Sequence, residues 1–183
     1  MEKEKIYKAV LENNKWANIT ELPFNSDSFS TAHPALSPDE KTLYFVSDMP
    51  GTIGQSDLFK VQIKEDGTYT TPENLGATIN TEGRETFPFI SDENEIYFAS
   101  DGHPGLGGLD IFVSKINSSG SYSEVQNVGS DVNSPTDDFA YWLDTKSRKG
   151  FFSSNRDGGL GYDDIYKFLE LKKLTCEQEL YGK

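Results

Sequence analysis

Three stretches decide the reading of this chain: LYFVSDMPGTIGQSDLFKV from Leu43, IYFASDGHPGLGGLDIFVS from Ile96 and GFFSSNRDGGLGYDDIYKF from Gly150. They superpose residue for residue, with Asp57, Asp110 and Asp164 equivalent and spaced 53 and then 54 residues apart. A fixed period of this size marks one supersecondary unit repeated along the chain. A fainter fourth copy starts part-way through its unit: Ile6-Tyr7 matches Leu58-Phe59, and Trp16, Tyr69 and Tyr122 recur every 53 residues.

Working outward, each unit divides into four short apolar or alternating runs separated by Gly, Pro, Asp and Asn, the pattern of strands joined by turns. In the second unit the strands are expected at His33–Ser37, Thr42–Ser47, Asp57–Ile63 and Tyr69–Leu75. Runs such as LYFV and DLFKV are apolar almost throughout, so both faces of each sheet need cover, which neighbouring units must supply. Stacked four-stranded sheets with no helical period predict an all-β fold, a partial β-propeller of four-stranded antiparallel blades. The arc covers residues 1–171 as a half unit 5–23, units 30–76 and 84–129 and an incomplete unit 137–170, with 172–183 as a tail. That is about three and a half blades of a ring expected to hold six. Open ends would leave two sheet faces wet at a cost of roughly 10 kcal/mol. Self-association through the open edges is one expected remedy; continuation in a longer ring is the other.

The phrases HPALSPDEKTLYFVSD, FPFISDENEIYFASDGHPGLGGLDIF and GFFSSNRDGGLGYDDIY resemble the TolB-type, WD-like propeller repeat. Residues 6–168 are similar to the later blades of the propeller in multi-domain OmpA-family proteins of the Gram-negative outer membrane. The resemblance implies a periplasmic location at the outer membrane, an export signal upstream, and a protein-binding role in the cell envelope. In that family the propeller precedes a small β-sandwich and a peptidoglycan-binding domain, and LKKLTCEQELYGK from Leu171 looks like the linker towards the sandwich.

Composition narrows the function further. Thirty acidic against seventeen basic residues give a net charge of −13, which repels nucleic acid and anionic lipid. Direct membrane insertion is not expected, since no run approaches the roughly 20 apolar residues that a spanning helix needs. Cys176 is the only cysteine of the 183 residues, which leaves no CxxC pair, zinc cluster or internal disulfide. His33 and His103 each precede a proline and share no metal-ligand spacing. His33 is expected to pack beside a first strand and His103 to be a solvated loop residue. No nucleophile elbow or phosphate loop is present, so neither a cofactor nor a metal is expected.

Two alternatives stay open. GGLGYDDIY from Gly158 fits a calcium-binding nonapeptide once, although β-roll calcium sites need it in tandem. SPDEKTLYF from Ser37 resembles an aspartate box of glycan-cleaving propellers, with Lys41 where glycine belongs; a glycosidase would also need a convergent carboxylate pair. The plainer reading makes Asp48, Asp57, Asp101, Asp110, Asn155 and Asp164 turn braces that accept backbone N–H groups in the loops they bracket. Those loops are the candidate recognition rim, carrying Met49, Pro50, Ile53, His103, Pro104, Leu106, Arg156, Leu160 and Tyr162. They lie beside the connections 76–84 and 129–136 and suit a protein partner, or a glycan, better than a phosphate-bearing one. Trp16 and Trp142 are expected to pack between sheets.

Overall fold

The computed structural model describes residues 2–173. These residues contain no helix and form thirteen strands in four antiparallel sheets. The first sheet is a hairpin of β1 (Tyr7–Glu12) and β2 (Lys15–Glu21). The second runs β3 (Thr31–Leu36), β4 (Thr42–Ser47), β5 (Asp57–Gln62), β6 (Glu73–Asn74) in spatial order. The third repeats it with β7 (Glu85–Ile90), β8 (Glu95–Ser100), β9 (Asp110–Lys115) and β10 (Gln126–Asn127). The fourth comprises β11 (Asp138–Asp144), β12 (Lys149–Ser154) and β13 (Asp164–Leu169).

The repeat extends to register. Phe45 lies opposite Phe59, Phe98 opposite Phe112, and Phe152 opposite Tyr166. Because side chains alternate across a strand, the two middle sheets send apolar groups both ways. Phe45, Phe59 and Val61 pack towards Ile6, Leu22 and Phe24, while Tyr44, Val46 and Leu58 pack towards Ile90, Ile96 and Phe98. On the far face of the third sheet, Tyr97, Ile111 and Val113 meet Tyr141, Leu143 and Phe152. Two clusters therefore fill the gaps among the second, third and fourth sheets, and the other packs Ile6, Leu22 and Phe24, which flank the first hairpin, onto the second sheet. At some 1.5 to 3 kcal/mol per fully buried large apolar side chain, these gaps are what hold the sheets together.

The end sheets have no second neighbour among the described residues. Tyr7, Leu11, Trp16 and Ile19 stand exposed on the first hairpin, and Trp142, Phe151, Ile165 and Leu169 on the last sheet. Both tryptophans depart from the packing expected of them: Trp16 is 69% and Trp142 46% exposed, the first on a hairpin with no buried residue and the second alternating with the buried Tyr141 and Leu143 of β11.

The fourth strands are shorter than expected. Instead of Tyr69–Leu75, only Glu73–Asn74 pair continuously, with an isolated bridge from Tyr69 to Ile63. Side chains take over part of the remaining ladder, beside main-chain bonds from the Thr70 N–H to Gln62 O and from the Ser123 N–H to Lys115 O. The Thr70 hydroxyl accepts from the Gln62 N–H and, 53 residues on, the Ser123 hydroxyl accepts from the Lys115 N–H. Pro72, which has no N–H to donate, falls in the same gap.

The first strands β3, β7 and β11 lie next to one another in succession. Each is interrupted by a bulge whose extra residue is left-handed: His33 (φ 48°), Phe87 (φ 49°) and Ala140 (φ 52°). A bulky residue in this region is costly, and here it turns the ring outward from the ladder. The His33 ring stacks on Phe87 at 4.0 Å, Phe87 lies 5.0 Å from Phe139, and His33 Nδ1 is 2.7 Å from the Thr86 hydroxyl.

Candidate functional site: the loop rim

Of the loops joining second to third strands (48–56, 101–109 and 155–163), the first two lie against the connections that lead into the next sheet. The Gln55 N–H donates to Gly83 O at 2.8 Å and the Glu85 N–H to Ser56 O at 2.9 Å. One unit on, the Leu109 N–H donates to Asp137 Oδ1 at 2.8 Å and the Asp138 N–H to Leu109 O. Glycine permits the approach, since a Cβ on Gly54 would collide with the carbonyl oxygens of Thr81 and Gly83, and one on Gly107 with those of Ser134 and Thr136.

The aspartates that open the third strands fasten these loops from beneath. Asp57 accepts from the N–H groups of Ile53 and Gly54 at 2.7 and 3.2 Å and from Asn74 Nδ2 at 2.6 Å. Asp110 Oδ2 accepts from Leu106 and Gly107, and Asp164 accepts from Gly161. Asp57 and Asp110 are buried, and Asp110 Oδ1 has no hydrogen-bond partner among the described residues.

Asp48, Asp101 and Asn155 act differently from the turn braces expected of them. Each reaches past its own loop to the residue just before, or at the start of, its sheet's first strand. Asp48 accepts from the Ser30 N–H, Asp101 from the Arg84 N–H and Nε, and Asn155 from the Asp137 N–H. Desolvation opposes the charge on Asp48, but Lys3 and the Ser30 N–H outweigh it and hold its carboxyl below the usual range.

Three expected rim residues are tied into the fold. Met49 is buried beside Phe24 and Phe59, with its N–H donated to the Ser47 hydroxyl, so it belongs to the core. His103 is half-buried rather than solvated: its Nε2 lies 2.8 Å from Ile79 O, and its ring rests against Phe98 and Phe112. Arg156, 53 residues later, repeats this reach, donating to Val132 O and Asp138 while its guanidinium lies 4.9 Å from the Phe152 ring and 5.0 Å from that of Tyr166. Pro50 and Pro104 are exposed.

At the loop tips, Ile53, Leu106 and Leu160 are equivalent residues and stand 45%, 52% and 103% exposed, with Tyr162 at 86% beside the last. A shallow groove separates the last two loops, lined by Gly108, Pro135, Asp137, Arg156, Gly159 and Tyr162. Chemically, this edge offers projecting apolar groups on braced backbone.

Sequence reasoning missed a set of buried asparagines. Asn80 Oδ1 accepts from the Leu58 N–H at 2.9 Å and Asn80 Nδ2 donates to Leu58 O at 3.0 Å. Asn133 does the same to Ile111 at 2.8 and 2.9 Å, and Asn25 to Ile6 at 3.2 and 2.7 Å. The 53-residue spacing of Asn80 and Asn133 was the available signal. Beneath the same connections, the buried carboxylates of Glu85 and Asp138 accept from the N–H and hydroxyl of Thr81 and of Ser134 respectively.

Cys176 and the tail from residue 174 lie outside the described residues. Among the described residues, no cluster of three or more His, Cys, Asp or Glu side chains is placed to hold a metal ion. No known family model matches the chain, and no curated protein matches it.

Proposed function

We propose that the chain is an arc of a β-propeller serving as a non-catalytic scaffold for protein recognition, and that the loop rim is its recognition edge. Supporting the propeller reading are the second, third and fourth sheets, which cover each other's faces in succession, and first strands that neighbour one another from β3 through β7 to β11, as blades around an axis do. One observation carries the functional reading. Ile53, Leu106 and Leu160 project into solvent at equivalent points, on loops whose backbone is pinned by Asp57, Asp110 and Asp164. The fold gains nothing from exposing them, whereas pre-organised apolar tips bind without first paying an ordering entropy.

The sequence resemblance supplies the setting, a cell-envelope protein partner. The test is affinity capture from envelope extract with the wild-type chain and with an Ile53→Ser/Leu106→Ser/Leu160→Ser variant. The expected result is a partner retained by the first and lost by the second at unchanged melting temperature. Equal retention by both would refute the rim as the recognition edge.

A further inference from the structure

The outer edge of β13 is the third copy of a site that is filled twice within this same molecule. In the second sheet, Glu73 and Asn74 pair with Lys60 and Phe59 on the outer edge of β5. The chain then runs through Leu75, buried, and Ile79, fully buried, to Asn80, which clamps the Leu58 main chain. It continues over Gly54 to Gly83, which accepts from the Gln55 N–H. In the third sheet, Gln126–Asn127, Val128, Val132 and Asn133 retrace this path over Phe112, Val113 and Ile111, and Ser134–Thr136 cover Gly107. The two occupying segments read ENLGATIN and QNVGSDVN.

Each acceptor element recurs on β13. Tyr166 and Lys167 stand where Phe59 and Lys60 do, and Ile165 stands where Leu58 does. Since Ser153 opposes Ile165 as Val46 opposes Leu58, the Ile165 N–H points away from β12, towards the open side. Ile165 is 77% exposed, and no described residue pairs with this edge. The Gly161 Cβ position, blocked by a neighbouring segment at Gly54 and Gly107, meets nothing closer than Asp163 O at 3.3 Å. The chain's own residues 174–183, LTCEQELYGK, contain no asparagine with which to supply the clamp.

We infer that the β13 edge is an acceptor for an extended peptide segment carrying the pattern Glu or Gln, Asn, Leu or Val, Gly, two residues, Ile or Val, Asn. Main-chain pairing to an exposed edge supplies affinity in such strand addition, and side-chain positions supply specificity. Here specificity comes from the second asparagine, which satisfies both the N–H and the C=O of Ile165, and from the glycine-lined loop, which admits only main chain at closest approach. Ile165 and Gly161 carry this site and none of the three rim side chains does, so it stands or falls separately from the rim.

The test is fluorescence polarisation with a labelled synthetic peptide of residues 68–85, TYTTPENLGATINTEGRE, titrated with the full chain. Saturable binding with a Kd of about 100 μM or tighter is expected. A peptide with Asn80→Ala should bind about tenfold or more weakly, having lost two hydrogen bonds to the main chain. On the protein side, Ile165→Pro removes the outward N–H while leaving the bonds to β12, and Gly161→Ala fills the space above; both should weaken binding by a similar factor. No saturation by about 1 mM, or equal affinity of the wild-type and Asn80→Ala peptides, would overturn the proposal. So would undiminished binding to the Gly161→Ala protein, a variant whose melting should stay close to wild type and which therefore guards against misfolding of Ile165→Pro.

Discussion

Asn80 and Leu58 are joined by a closed two-bond ring, in which the side-chain amide of one mimics a strand for the main chain of the other. Asn80 comes from the connection leading out of the second sheet and Leu58 from the third strand of that sheet, and both are at most 1% exposed. Removing the amide strands a buried donor and a buried acceptor, each worth about 1 to 3 kcal/mol when left unpaired. Asn80→Ala and Asn133→Ala should each lower unfolding free energy by about 2 to 4 kcal/mol. Urea denaturation measures this, and a loss below about 0.5 kcal/mol would show that water replaces the amide freely.

The loop glycines provide an internal comparison. Gly54→Ala and Gly107→Ala force a methyl group against carbonyl oxygens of the next connection and should cost about 1 to 3 kcal/mol. Gly161→Ala, at the equivalent place in the last loop, meets no neighbouring segment and comes no closer than 3.3 Å, to Asp163 O, and should cost less than about 1 kcal/mol. Equal costs at all three sites would mean that backbone conformation, not the neighbouring segment, demands glycine.

Acid should weaken the molecule through His33. Burial lowers its pKa below the ordinary 6.5, with Glu4 pulling weakly the other way. Below pH 6.5 the unfolded chain therefore takes up the proton before the folded chain does, and stability falls as pH drops towards the folded pKa; above that range both states are neutral and the contribution vanishes. His33→Asn suits the left-handed backbone and removes the titration. Between about pH 7.5 and 5.5 the variant should lose less stability than wild type in parallel thermal melts, and identical losses would contradict the burial effect.

Hydrogen exchange should be graded across the sheets. Every residue of β8 is buried and β9 is buried except at Lys115, whereas β1, β2 and β13 are largely exposed. Opening free energy follows such cover, so amides of β8 and β9 should exchange last and those of β1 and β2 first. Uniform protection would mean that the end hairpin is held by more than the flanking residues Ile6, Leu22 and Phe24.

Much of this was legible because a period of 53 residues converts one local pattern into several independent readings. The double-faced apolar runs LYFV and IYFA announced cover on both sides, and Leu43 and Tyr44 do pack into opposite clusters. What stayed illegible depends on direction and distance. Met49 sits in a loop between Asp48 and Pro50 and reads as surface, yet its side chain turns down onto Phe59. Trp16 reads as core by its size, yet it stands on a hairpin none of whose residues is buried. Asn80 and Asn133 sit among residues that favour turns, where an asparagine ordinarily signals a local bend. Only coordinates reveal that each is spent 22 residues back along the chain.

The asparagine locks also put the geometric module and the energetic module out of phase. A sheet ends at its fourth strand, but the amide that secures its third strand is encoded further on, inside the link to the following sheet. A duplication or deletion cut at sheet boundaries would carry off a strand without its fastener, whereas a cassette cut between consecutive third strands, from Asp57 to Leu109, keeps strand and fastener together. Grafted or consensus versions of this repeat should be assembled on that frame.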